Sequence, residues 1–158
     1  MKLYFLRHAD AVPGMDDAAR PLSPLGQKQS RRLGRFLKEA EIEFDAAYSS
    51  PLARAKETAE IVLKSVGALS PRKLRKDDAL LNETLQAQFD EWLKDLPAAD
   101  HVLLVGHAPT LAERVCHLLG ASGADALKLP KGAVACLDTE DRQTASLKFL
   151  VTPKLLGI

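Results

Sequence analysis

The chain alternates short apolar runs with longer stretches in which apolar residues return every three or four positions. Leu3-Tyr4-Phe5-Leu6 is an unbroken apolar run, which predicts a strand buried on both faces. Ser23-Pro24 joins a capping side chain to a residue suited to the first helical turn. Leu33, Phe36, Leu37 and Ala40 then mark one face of a helix. Residues 45–49 predict a second, weaker strand. Ser50-Pro51 repeats the cap-and-proline signal, so a helix is expected from Leu52 to about Lys64. The basic stretch 72–76 alternates poorly and reads as an edge strand or a loop. Leu85, Phe89, Trp92, Leu93 and Leu96 form another helical stripe, which stops before Pro97. Residues 101–105 are the clearest central strand. Gly106-His107-Ala108-Pro109 turns that strand into a helix whose buried face is Leu111, Val115, Leu118 and Leu119. Residues 133–137 and 145–151 flank a polar turn and predict an antiparallel hairpin.

Strands alternating with helices imply the α/β class, with a mostly parallel sheet, helices on both faces and the C-terminal hairpin added to it. At 158 residues, 46% of them hydrophobic, residues 1–158 are expected to form one domain with a sizeable core. The formal net charge of +1 gives no reason to expect a nucleic-acid or membrane partner. Cys116 and Cys136 are too few and too far apart for a disulfide framework or a zinc knuckle, and read as core residues of a reducing compartment. Four apolar residues between Lys2 and Arg7 are too short a run for an export signal, which makes the cytoplasm the expected location.

Polar residues collect at three predicted strand ends: Arg7 and His8 at the first, Arg54 beyond the second in an early helical turn, and His107 at the third. In open α/β sheets ligands bind beyond the carboxyl ends of the strands. Helix starts offer partial positive charge and free N–H groups, and the planar fork of arginine suits phosphoryl oxygens. Together these residues describe an anion site. A neutral imidazole is a competent nucleophile near neutral pH, and fixed positive charge offsets its repulsion by a dianion. Taken singly each residue has a plainer reading: a strand end, a solvated helix charge, a satisfied turn. His101 is expected to face solvent at a strand start, and His117 to sit at a helix C-terminus. No His-x-His, His-Glu-x-x-His or carboxylate cluster accompanies the histidines, so no metal and no other cofactor is expected. The run Arg72, Lys73, Arg75 and Lys76 reads as a solvated edge, followed at once by Asp77 and Asp78.

At these residues the chain resembles the histidine phosphatase superfamily, also called phosphoglycerate-mutase-like or RHG. Leu6-Arg7-His8-Ala9 is similar to its N-terminal signature, Tyr48-Ser49-Ser50-Pro51-Leu52-Ala53-Arg54-Ala55 to its second block, and Val105-Gly106-His107 to the block of the second histidine. Within the superfamily, Arg20-Pro21-Leu22-Ser23 followed by Gly26, the short length and His107-Ala108-Pro109 resemble SixA-type phosphohistidine phosphatases. The resemblance implies His8 as nucleophile, with Arg7, Arg54 and His107 holding the phosphoryl group. Two departures stand out. Ala9 replaces the signature glycine, and Ala108 follows His107 where the acid-phosphatase branch carries aspartate. Leu81-Asn82-Glu83 looks like the mutase-branch segment that supplies the acid, so Glu83 is a candidate proton donor; its alternative role is a helix-start carboxylate beside Leu85.

The implied route is a two-step transfer through a phosphohistidine on His8. The implied substrate is phosphohistidine on a signalling protein, a histidine-phosphotransfer domain being the expected partner. A small-molecule phosphomonoesterase is the alternative within the superfamily, and a non-catalytic phosphate-recognition module the alternative outside enzymes. Residues 65–100 are too few for the large lid that a mutase needs.

Overall fold

The computed structural model describes residues 1–67 and 69–158. It contains a six-stranded sheet: β1 (Lys2–Arg7), β2 (Ala46–Ser49), β3 (Arg75–Lys76), β4 (His101–Gly106), β5 (Val134–Asp138) and β6 (Ser146–Val151), in the spatial order β3-β2-β4-β1-β5-β6. The pairs β3/β2, β2/β4 and β4/β1 are parallel, while β1/β5 and β5/β6 are antiparallel. This is the expected α/β architecture, with the C-terminal hairpin completing one side.

Four helices, α1 (Pro24–Glu39), α2 (Ala53–Val66), α3 (Gln86–Asp95) and α4 (Thr110–Leu118), cover the two faces. The central strands explain how. Leu3 and Phe5 of β1, and Val102 and Leu104 of β4, pack with Phe89 and Leu93 of α3 and with Leu111, Val115 and Leu118 of α4. Tyr4 and Leu6, and Leu103 and Val105, point the other way, onto Leu33 and Leu37 of α1 and onto Ala55, Ala59, Val62 and Leu63 of α2. Successive side chains of a strand face opposite sides. A strand buried on both sides must therefore be continuously apolar, as β1 and β4 are.

Several local expectations change. Ser23 caps α1 as read, its Oγ accepting from the Gly26 amide at 3.0 Å, but Ala40 is exposed beyond the helix end. Leu85 precedes α3 and is 67% exposed; the buried stripe is Phe89 and Leu93, continued by Leu96. The 72–76 stretch divides into a short 3-10 turn and the two-residue edge strand β3. His101 is half-buried rather than solvated, because its Nδ1 is 2.7 Å from the Tyr4 hydroxyl. His117 does lie in the last turn of α4, with Nε2 3.4 Å from Asp90. Neither cysteine forms a disulfide, and both are buried. No helix among the described residues is long and apolar enough to cross a membrane.

Two glycines allow close approaches of α1 to its neighbours. A Cβ on Gly26 would lie 1.9 Å from the Asp10 carbonyl oxygen, so the start of α1 presses directly on the chain just after His8. A Cβ on Gly34 would lie 2.4 Å from the Ser65 Cβ, which lets α1 and α2 pack tightly side by side.

Candidate active site

The carboxyl ends of β1 and β4 are adjacent, Arg7 pairing with Gly106. Arg7 is thus the last residue of β1, with His8 beyond it; His107 follows β4. The amide of His8 extends the ladder to the Gly106 carbonyl at 3.0 Å. The two imidazoles come together with ring centroids 5.1 Å apart, and they are 7% and 3% exposed. Arg54, in the first turn of α2, is 7% exposed. Four of the five candidates therefore meet at one crevice, where Arg54 and Arg7 both act electrostatically on both rings.

The hydrogen bonds define how His8 is presented. Its Nδ1 is 2.8 Å from the carbonyl oxygen of Ala9. A carbonyl only accepts, so the bond assigns the neutral ring's proton to Nδ1 and leaves the Nε2 lone pair available. Burial holds the His8 pKa down to about 4, assisted by Arg54, Arg7 and Lys131 against the opposing pull of the Ala9 carbonyl. The ring is therefore neutral at neutral pH. Ala9 is fully buried and its φ is not positive, so alanine is accommodated here without backbone strain.

His107 is presented by a residue whose role the sequence disguised. Ser50 was expected to cap the second helix, but the structure places the cap at Leu52. The Ser50 Oγ lies instead 2.5 Å from His107 Nε2. The Leu52 amide donates to the same Oγ at 3.4 Å, and the hydroxyl retains a proton that it can give to Nε2. In that arrangement the neutral His107 ring carries its proton on Nδ1. Burial, then the neighbouring His8 and Arg54, hold the His107 pKa down to about 3.

The arginines are anchored through part of each guanidinium. Arg7 NH1 donates to the Leu129 carbonyl at 2.9 Å, and burial lowers its pKa from the ordinary arginine value. Arg54 NH1 donates to the Asp17 carbonyl at 2.9 Å, and NH2 meets the Asp17 carboxylate at 3.2 Å. Arg54 and then Arg20 hold the Asp17 carboxyl below the usual range. Among the described residues, Arg7 Nε, Arg54 Nε and His107 Nδ1 are buried polar atoms with no protein partner. Buried donors are normally satisfied. These three belong to residues gathered beside a neutral imidazole, and they are open to binding an oxyanion.

Other residues complete the setting. Thr58 Oγ1 accepts from the Ala9 amide at 3.1 Å and donates to the Arg54 carbonyl at 2.7 Å, tying the end of β1 to α2. Its position one turn after Arg54 was the available sequence signal. Lys131 pairs with Asp10 at 2.9 Å, and the Gly132 amide donates to the carbonyls of Arg7 and His8, both at 3.1 Å. Asp17 and Lys131 approach from sequence-distant loops with no local pattern to reveal them. Beside Arg7 opens a cleft of about 510 Å³ whose walls include Ala108, Pro109, Ala112, Leu127 and Leu129.

Glu83, the fifth candidate, is exposed and makes no hydrogen bond to the other four. Its loop is nonetheless fastened to the crevice. Asn82 Nδ2 donates to the Ala108 carbonyl at 2.8 Å, and Thr110 Oγ1 donates to Asn82 Oδ1 at 2.6 Å. Among the described residues no group of three or more His, Cys, Asp or Glu side chains is arranged to hold a metal ion.

Comparison with known proteins gives a consistent picture. The model of the histidine phosphatase superfamily (branch 1) matches residues 3–86. An uncharacterised protein of Picosynechococcus sp. is 31% identical, with 99% of each chain covered. The phosphohistidine phosphatase SixA of Escherichia coli is 31% identical over 68% of this chain and 71% of its own. A solved structure of the protein histidine phosphatase SixA complexed with tungstate has the same fold, with a TM-score of 0.88, 23% identity and 99% of each chain covered.

Proposed function

Because the chain belongs to the histidine phosphatase superfamily, branch 1, we propose that it dephosphorylates phosphohistidine on a signalling protein, a histidine-phosphotransfer domain, with His8 as nucleophile. The observation that carries this reading is the set of unpaired buried donors on Arg7, Arg54 and His107 around a neutral His8 whose Nε2 is free. In the first step the Nε2 lone pair forms a bond to phosphorus while the substrate's N–P bond breaks, and the departing imidazole nitrogen takes up a proton. In the second, water attacks phosphorus, the P–Nε2 bond returns its electron pair to His8, and inorganic phosphate leaves. Arg7, Arg54 and the Nδ1–H of His107 bind the equatorial oxygens and tighten on the charge of the transition state.

Exchange of one N–P bond for another makes the first step nearly thermoneutral. An alkoxide leaving group needs a well-placed acid, and the candidate for that role, Glu83, is exposed and makes no hydrogen bond to the other four site residues. The stretch between α2 and β4 is occupied by short turns, β3 and α3, which favours an open crevice over a closed, water-excluding pocket. The tungstate held by the related SixA structure is a tetrahedral oxyanion of the kind these donors suit.

The test is kcat/KM for a phosphohistidine-bearing histidine-phosphotransfer domain against several sugar and alkyl phosphates, with Glu83→Gln in parallel. The domain should be the better substrate and Glu83→Gln should leave its turnover largely intact. Faster hydrolysis of the esters, lost in Glu83→Gln, would make the protein a metabolite phosphatase instead.

A further inference from the structure

α1 carries Lys28, Arg31, Arg32 and Arg35 on one side. At 3.6 residues per turn these four fall within roughly 100° of arc and span about 10 Å of the helix. Lys28, Arg31 and Arg35 are exposed, and Arg32 is half-exposed with its Nε on the Leu156 carbonyl at 3.2 Å. Among the described residues none of the four is in an ion pair, although Arg20, Arg54, Lys56 and Lys131 all are. The only acid on α1 is its last residue, Glu39. Like charges at three- and four-residue spacing repel, so the stripe concentrates positive charge on a chain whose net charge is only +1. With the C-terminal residues it lines a groove of about 240 Å³.

The stripe begins at the rim of the candidate active site. Ser23, the cap of α1, donates to the Asp10 carboxylate at 2.6 Å, and Gln29, next to Lys28, accepts from the Asp10 amide at 3.0 Å. Asp10 is two residues beyond His8 and is itself paired with Lys131. Leu25, 48% exposed at the crevice end of the same side, adds an apolar contact. The first turns of α1, from which the stripe runs, thus lie against the segment just after His8.

We infer that this face of α1 docks an acidic surface of the phosphoprotein, next to the phosphorylated side chain that enters the crevice. The inference rests on the phosphoprotein reading above. A side chain seated against His8 brings its own protein surface against the crevice rim, and α1 is a rim element that carries four cations, none of them in an ion pair among the described residues. Such complementarity steers encounter and lowers KM, and it leaves the chemistry at phosphorus unchanged.

The experiment compares the wild-type chain with the Arg31→Glu/Arg35→Glu double variant, folding being checked by circular dichroism. The substrates are an acidic histidine-phosphotransfer domain phosphorylated on histidine, and phosphoramidate, a small N–P compound that cannot reach α1. The variant should lose roughly tenfold or more in kcat/KM on the domain, mainly through KM, and keep wild-type turnover of phosphoramidate. Added salt should weaken the wild type on the domain and narrow that gap. Equal turnover of the domain by both proteins would overturn the docking surface while leaving the phosphohistidine reading intact. Loss on phosphoramidate as well would overturn it by showing that the charges act through the crevice. A wild type that hydrolyses phosphoramidate but not the domain removes the phosphoprotein reading and this surface with it. If the variant instead loses only binding to phosphatidylserine vesicles or to single-stranded RNA, the stripe belongs to that partner and the inference fails.

Discussion

The hydroxyl of Ser50 is the protein partner of His107 Nε2. With the hydroxyl donating to Nε2, the ring proton sits on Nδ1, which has no protein partner and is the donor the proposed reading gives to a phosphoryl oxygen. Ser50→Ala removes that constraint without touching either ring. The expected cost is about 1 kcal/mol, or roughly fivefold, in the barrier, appearing in kcat with KM nearly unchanged. Steady-state kinetics on the phosphohistidine substrate measures it. A role as helix cap alone would instead move thermal stability and leave kcat where it was. Asp17 works on the other side of the crevice, holding Arg54 through its carbonyl and its carboxylate while leaving Nε unpaired.

At the scale of elements, the loop bearing Glu83 is fixed by a buried cation. Arg114 of α4 is 1% exposed, its NH2 donates to the Leu81 carbonyl at 3.1 Å and the Thr84 carbonyl at 3.2 Å, and its guanidinium lies 4.4 Å from the Phe89 ring centre. These two carbonyls bracket Asn82 and Glu83, so α4 sets the loop's position from below while Asn82 fastens it to the turn after His107. Arg114→Met should cost about 1–3 kcal/mol of stability, because both carbonyls lose a buried donor. It should also lower kcat on alkyl phosphates toward the level of Glu83→Gln while sparing the phosphohistidine domain. Arg114→Lys should not restore the esters, since an ammonium cannot bridge two carbonyls and lie flat on an aromatic ring as a guanidinium does. Melting curves and the two-substrate kinetic comparison check both halves.

Across the whole molecule, two imidazoles are buried neutral at the carboxyl edge of the sheet. Burial and the surrounding cations hold His8 at about 4 and His107 at about 3, both below the ordinary value of 6.5. The unfolded chain therefore binds more protons than the folded one between those values. The stability this contributes is fully present above pH 6.5 and is lost as pH falls through about 4 and then about 3. Urea midpoints should drop from pH 7 to pH 5, and His8→Asn should reduce the drop by removing one of the two groups. The six-stranded sheet takes strands from Lys2 to Val151.

Most of the fold was legible because its signals are local. The continuous apolar runs of β1 and β4, the Ser23-Pro24 start of α1 and the stripe of α4 each depend on neighbours within a few positions. Arg7, His8, Arg54 and His107 were legible because three short blocks bring them to strand ends, where an open sheet holds its ligands. Ser50 was misread because the same residue pair that signals a cap also delivers a hydroxyl to a histidine 57 residues away. Leu85 was misread because periodicity cannot tell where a helix begins without its cap geometry. Asp17 on Arg54, Lys131 on Asp10 and Arg114 beneath residues 81–84 carry no local pattern at all. They meet because the sheet order β3-β2-β4-β1-β5 brings the loops beside these strands to one edge, so only the tertiary structure decides which loops share the crevice, which polar atoms stay unpaired and which partner each imidazole nitrogen meets.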